Sequence, residues 1–242
     1  MSPAKAPLPE CLTEAGFRLD RSPLHTSPLL TMRKTLLLTF FLAAATAFAE
    51  TKPAEDGFIS LFDGKSLDGW QASDAPGTFS VEDGKIVVHG PRSHLFYVGP
   101  VHDHKFTNFI LRADVMTFPK ANSGIYFHTE FQKEGWPDKG FEVQVNNSHQ
   151  DTKRTAGLYD VKDNFEPPAK DEEWFHMEID VEGKHVVIKV NDKVITDWTQ
   201  PDDFQPPKGH PGRFISTGTF ALQGHDPGSK VYFKNIEVKP LP

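Results

Sequence analysis

Phe141-Glu142-Val143-Gln144-Val145-Asn146 alternates apolar and polar residues at every step. In an extended chain successive side chains point to opposite faces. Phe141, Val143 and Val145 therefore share one face, and Glu142, Gln144 and Asn146 share the other. Trp174-Phe175-His176-Met177-Glu178-Ile179-Asp180-Val181 repeats the pattern, with Phe175, Met177, Ile179 and Val181 on the apolar side. Such strands build a sheet with one face on a core and the other open to solvent or a ligand.

Working outward, the same alternation predicts strands over 78–81, 85–89, 94–98, 109–118, 124–129, 186–190, 213–223 and 230–238. Glu82-Asp83-Gly84, Glu182-Gly183, Asn191-Asp192 and Pro227-Gly228 supply the turns between them. Glu166–Asp171 and the Pro-rich stretch Gln200–Gly212 read as loops. No stretch of ten or more residues has helical periodicity. Many short strands and no helix predict one all-β domain, a sandwich or barrel.

The first fifty residues read differently. Arg33 and Lys34 precede a short apolar run, Leu36 to Ala45, and Ala47-Phe48-Ala49 fits a small-x-small cleavage site. That order marks 32–49 as a secretory signal peptide, and the run is too short to span a membrane. Residues 1–31 are Pro-rich and aperiodic and are expected to be an extension upstream of the true start at Met32. The folded domain is expected over 50–242, exported to the periplasm or beyond the cell, with no membrane attachment after cleavage. The single cysteine, Cys11, precedes Met32, which excludes an intrachain disulfide and a Cys-clustered zinc site. A formal charge of −7 argues against nucleic acid, whose phosphates need a basic face.

Four stretches carry candidate chemistry. They are Asn122-Ser123-Gly124-Ile125-Tyr126-Phe127-His128, the pair Glu142 and Gln144, Gln223-Gly224-His225-Asp226, and Trp136-Pro137-Asp138-Lys139. Alternation puts Tyr126 and His128 on one face. A carboxylate, imidazoles, amides and a tyrosine on adjacent strands suit a sugar or acid–base site. An exposed Trp136 could stack on a pyranose ring. His102-Asp103-His104 alternates along an extended chain and cannot converge on a metal. No phosphate-binding glycine loop, Gly-x-Ser-x-Gly elbow or His-Glu-x-x-His helix is present.

Several motifs together resemble one family. They are Leu61-Phe62-Asp63-Gly64-Lys65-Ser66-Leu67-Asp68-Gly69-Trp70, Asn122 to His128, Gly140 to Val145, Gly157-Leu158-Tyr159, Glu173-Trp174 and Ala221-Leu222-Gln223-Gly224-His225-Asp226. They are similar to the 3-keto-disaccharide hydrolase domain, across essentially all of 57–240. The resemblance implies a concanavalin A-like jelly roll of two antiparallel sheets, one concave and polar. It also implies an exported protein acting on an oligosaccharide or glycoside oxidised to a ketone at C3, alongside a separate sugar oxidoreductase that makes the ketone. A C3 ketone acidifies the C2 proton. Its removal lets the enolate expel the C1 oxygen, and water then adds.

On that scheme Glu142 or His128 is the base, and Asn122, Tyr126 and Gln144 orient hydroxyls. His225 and Gln223 close the far side, where His225 assists the leaving group. Tyr159 is an acid or hydroxyl ligand, Lys162 steadies an enolate, and Trp136 stacks. No definite cofactor is implied, and a divalent cation held by His and carboxylate is the alternative to Lys162. A non-catalytic carbohydrate-binding module is the second reading, because one fold serves many functions. An ordinary two-carboxylate glucanase fits less well, since Gln144 stands two residues after Glu142 where a second acid would sit.

Overall fold

The computed structural model describes residues 56–242. The expected extension over 1–31 and signal peptide over 32–49 lie outside the described residues.

Fifteen strands, numbered in chain order, form two antiparallel sheets. The outer sheet runs β13 (Lys193–Thr199), β12 (His185–Val190), β11 (Phe175–Glu182), β6 (Asn108–Thr117), β15 (Lys230–Leu241), β4 (Lys85–His89) and β3 (Phe79–Glu82). A short β1 (Ile59–Ser60) pairs beside β15. The inner sheet runs β10 (Lys162–Asn164), β9 (Arg154–Leu158), β8 (Phe141–Val145), β7 (Ser123–Thr129), β14 (Thr219–Gly224), β5 (Ser93–Tyr97) and β2 (Trp70–Ala72). The chain crosses between the sheets at β1–β2, β2–β3, β4–β5, β5–β6, β6–β7, β10–β11, β13–β14 and β14–β15, and runs as meanders within one sheet through β7 to β10 and β11 to β13. Alternation predicted an all-β sandwich or barrel and the resemblance a jelly-roll sandwich, and the sandwich is the observed fold.

The hairpins follow from turn chemistry. Asn191 and Asp192 have φ of 48° and 65° and join β12 to β13, where Val190 pairs with Lys193. Two residues at positive φ match the twist of the flanking strands, and Asn and Asp tolerate that region.

Between the sheets lies one core. Phe109, Leu111, Val115, Phe175, Ile179 and Val181 from the outer sheet meet Ile125, Phe127, Phe141, Val143, Leu158 and Phe220 from the inner one. Phe106 stacks on Phe220 with centroids 4.6 Å apart, and Phe109 meets Phe220 edge-on at 4.9 Å. Each fully buried side chain of this size contributes about 1.5–3 kcal/mol. Trp70, from the opening motif, is buried with its indole N–H donating to Leu61 O at 2.7 Å.

One expected strand is shortened, and five strands, β1, β2, β9, β10 and β13, were not expected. The expected strand 213–223 begins only at Thr219, because 213–218 is drawn away over the inner sheet. Strands β9, β10 and β13 lacked a clear signal. Short β9 reads Arg154-Thr155-Ala156-Gly157-Leu158, with neither alternation nor a run of bulky residues.

Candidate functional site

The inner sheet's outward face carries the site. Register sets it up. Tyr126 on β7 stands between Glu142 on β8 and Ala221 on β14, and Gly124 faces Gln144. Side chains opposed across strands share a face. Loops 130–138, 146–153 and 200–218 roof this face and leave a cavity of about 210 Å³. Asn122, Tyr126, Trp136, Pro137, Glu142, Gln144, Asp151, Tyr159, His210, Gln223 and His225 line it.

Glu142 is its centre, with 6% of its surface exposed. Tyr126 Oη donates to Glu142 Oε2 at 2.8 Å, and Gln223 Nε2 donates to Oε1 at 2.7 Å. Gln223 Nε2 also donates to Tyr126 Oη at 3.3 Å, which closes a triangle across three strands. The Arg213 guanidinium lies 3.7 Å from Oε2. Burial pushes the Glu142 carboxyl above the usual range, against the pull of Tyr126, Arg213 and Gln223. A carboxylate so placed accepts a proton more readily than an exposed one. Tyr126 is pushed well above an ordinary phenol, by burial first and then by the neighbouring Glu142. It therefore stays a donor at neutral pH.

Gly124 is required by this packing. A Cβ there would stand 2.8 Å from Glu142 Oε1 and 2.9 Å from its Cγ. Gln144, two residues along β8, is buried, and neither its Nε2 nor its Oε1 has a partner. Asn122 Oδ1 is also unpaired. Buried polar groups are nearly always satisfied, so idle ones on a cavity wall are free to bond whatever fills it.

The far side is an imidazole held by a carboxylate. His225 Nδ1 lies 2.8 Å from Asp226 Oδ2, which also accepts from Ser229 Oγ at 2.8 Å, and Gly228 N–H donates to Asp226 Oδ1 at 2.8 Å. Burial opposes ionisation, yet the hydrogen bonds from His225 and Ser229 hold Asp226 below its ordinary pKa. An ionised Asp226 only accepts, so His225 Nδ1 carries the hydrogen and Nε2 is left for the cavity. His149 stands 5.7 Å from His225, and its Nδ1 accepts from Asp151 N–H at 3.1 Å. Asn146 anchors that loop, donating from Nδ2 to Asp151 O and Lys153 O at 3.0 and 2.7 Å.

The structure thus brings together Glu142, Asn122, Tyr126, Gln144, Tyr159, Gln223, His225 and Trp136. It does not bring in His128 or Lys162. Alternation fails at His128 because its φ is 55°, next to the register break between β14 and β7. The ring turns to the rim of the core, 5.6 Å from Phe109. Ser216 N–H donates to its Nδ1 at 3.2 Å, so Nε2 carries the hydrogen and donates to Thr107 O at 2.9 Å. Burial lowers its pKa to about 4. His128 is a neutral clasp between loops, and of the two alternatives Glu142 alone lines the cavity. Lys162 is exposed on β10, the sheet's edge strand and two strands from β8. The cation beside Glu142 is Arg213 instead.

Sequence reasoning missed Arg213, His210 and Asp151, and it singled out the Asp226 motif without giving Asp226 a role. His210 and Arg213 come from the Pro-rich segment and its continuation, which wraps back so that Gly140 N–H donates to Gly212 O at 3.0 Å. Periodicity is silent on such a loop. Its signal was the pair of basic residues near a Gly-Pro cluster. The 102–104 segment forms a 3-10 turn. Among the described residues no group of three or more His, Cys, Asp or Glu side chains is placed to hold a metal.

Known proteins bear on this geometry. The model of the 3-keto-alpha-glucoside-1,2-lyase-like domain matches residues 57–239. A protein of Bacteroides thetaiotaomicron named 3-keto-disaccharide hydrolase is 29% identical over 236 residues, spanning 77% of this chain and 79% of that one. A solved candidate glycosyl hydrolase from Parabacteroides distasonis superposes with a TM-score of 0.67 at 24% identity, covering 79% of this chain and 99% of that one. The carbohydrate-binding module CBM66 of Bacillus subtilis shares the fold, with a TM-score of 0.51 at 14% identity over 71% of this chain and 95% of that one. With its family motifs spread over both sheets and its cavity-lining residues drawn largely from them, the chain belongs to the 3-keto-alpha-glucoside-1,2-lyase-like domain family.

Proposed function

We propose that the protein cleaves the glycosidic bond of 3-keto-glycosides by elimination and hydration, with Glu142 as the base. The observation that carries this reading is a carboxylate 6% exposed, pushed up by burial and held by Tyr126 and Gln223 at the floor of a sugar-sized cavity. Membership of the family makes the chain a glycoside hydrolase-like, carbohydrate-active enzyme. A lectin-like module gains nothing from a carboxylate raised towards neutrality, whereas proton abstraction does.

Glu142 takes the proton from C2, and the C2–H electrons pass into the C3 carbonyl to give an enolate. The enolate collapses to the ketone, forms the C1–C2 double bond and releases the C1 oxygen to the leaving group. Protonation of that oxygen falls to His225, oriented by Asp226. Water then adds at C1, and the proton returns to C2. The net reaction is hydrolysis. Gln144, with a free amide N–H, donates to the C3 oxygen as charge builds there. The supply of substrate implies a separate oxidoreductase, and the reading extends to an exported protein.

The test is turnover. Purified protein is incubated with a 3-keto-glucoside bearing a chromogenic leaving group, with and without chelator. Release that survives chelation and disappears in Glu142→Gln is expected. Binding of the glycoside with no release by the wild type would move the protein to the carbohydrate-binding reading.

A further inference from the structure

The cavity beside Glu142, at about 210 Å³, is smaller than the roughly 300–1,000 Å³ common for larger ligands. It accommodates one sugar ring. A disaccharide must continue past it, and one direction is prepared. His94 on β5 stands directly opposite Gln223 on β14, so both side chains leave the same face of the sheet. His94 is 0% exposed, and neither of its ring nitrogens has a hydrogen-bond partner. Gln223 Oε1, across from it, has none either. Three idle polar atoms side by side in a buried position point to a ligand that satisfies them. Burial, and next the charge of Arg92, lower the His94 pKa to about 3, so the ring is neutral with one donor and one acceptor. That pairing suits a hydroxyl better than an anion.

Trp136 covers the spot. Its ring meets His94 edge-on at 5.5 Å and His225 at 5.4 Å, and it remains 41% exposed. Gln132 knits the loop to itself, donating from Nε2 to Glu134 O at 2.7 Å and Trp136 O at 2.8 Å. Its Oε1 accepts from Asp138 N–H at 3.1 Å. Ties to the strands below are fewer. Gly135 N–H donates to Asp74 Oδ2 at 3.1 Å, and the Arg92 guanidinium lies 5.6 Å from the Trp136 ring. The loop is coherent in itself and rests on β5 through two aromatic contacts, Phe131 edge-on to Phe96 at 5.5 Å and Trp136 on His94. His225 touches Trp136 and also lines the first cavity, so it stands at the junction of the two.

We propose that His94, Gln223 Oε1 and Trp136 form a second pyranose subsite, occupied by the leaving-group sugar once the Trp136 loop moves off His94. His94 and Gln223 bind the ring hydroxyls, Trp136 stacks on the C–H face, and His225 meets the bridging oxygen. This assignment rests on the reading of the first cavity as the 3-keto-sugar site.

The experiment compares a 3-keto-disaccharide with methyl 3-keto-glucoside, which lacks the second ring, on wild type and His94→Phe. The expected result is a rise on the order of tenfold in the ratio of KM for the disaccharide to KM for the methyl glycoside. An unchanged ratio overturns the subsite, because a merely structural His94 would be replaced by an apolar ring of similar shape without regard to the leaving group. Should His94→Phe not fold, Trp136→Ala, at an exposed position, must raise the same ratio, and an unchanged ratio there is equally fatal. Should wild type cleave neither compound, the activity reading falls and the subsite is read by calorimetry with glucose. Saturable binding that weakens in His94→Phe supports it, since His94 lies outside the lining of the first cavity, and no binding overturns it.

Discussion

The two sheets use the same alternation to opposite ends. On the outer sheet, β6 and β11 alternate buried and part-exposed residues along nearly their whole length. Their outward polar groups pair across strands in view of solvent, as Lys189 with Glu178 at 2.7 Å and Arg112 with Glu237 at 2.7 Å. On the inner sheet, β7, β8 and β14 are buried at every position. Their outward polar groups do not pair off. They converge on Glu142, and some of their hydrogen-bonding capacity is left unused. Strand pattern alone does not distinguish a washed face from a binding face. The loops do, by excluding water from one of them.

The sharpest way to break this contrast is Glu142→Gln. General-base loss is expected to cut kcat/KM by about 10²–10⁴-fold, measured on a 3-keto-glucoside. Stability should move the other way. A carboxyl whose folded pKa lies above its unfolded value contributes most at low pH, and that contribution is lost as pH rises through the raised folded pKa. At neutral pH the substitution removes a charge that burial disfavours, and Gln223 can turn its free Oε1 to the new amide. The expected Tm is equal or higher, and a clear fall in Tm would count against a disfavoured ionised Glu142.

Gly124→Ala comes next. The added Cβ reaches Glu142 but leaves the core alone, so kcat is expected to fall by about 10–100-fold through misplacement of the base. Circular dichroism should show the sheet intact. An active variant would mean that the Glu142 position is not critical.

Arg213→Met sharpens the comparison through pH. The kcat/KM profile needs an acid limb, because the base must be ionised, and the limb should sit above the ordinary carboxylate pKa. Arg213 pulls the Glu142 pKa down. Its removal is expected to move the limb to higher pH, and an unmoved limb would separate the guanidinium from the base.

The smallest effect belongs to the outer face. Lys189→Ala breaks a part-exposed pair with Glu178 and is expected to cost at most about 1 kcal/mol in chemical denaturation, with kcat unchanged.

The sequence made most of this legible where period two held. Phe141 to Val145 and Phe175 to Val181 announced their own faces, and Glu142, Tyr126, Gln144 and Gln223 followed from their strands. Legibility failed wherever the backbone left the period. At His128 a left-handed residue turns the ring off the expected face. The expected strand from Arg213 is a loop as far as Gly218, and its guanidinium reaches Glu142 by wrapping over the sheet. The motif of Asp226 stood out but its role did not, because that role comes from holding His225, a contact between adjacent residues past the strand end.

The triangle around Glu142 also has a meaning in time. Gln223 and Glu142 are 81 residues apart, and Tyr126 lies on a third strand. No local segment of a nascent chain contains all three. Loop-closure entropy makes such distant pairings slow to form. The hydrogen-bonded setting of Glu142 therefore comes into being only when β14 docks beside β7, late in synthesis and after most of the core strands are available. Catalytic competence should appear during refolding as a single late event, coincident with closure of the inner sheet.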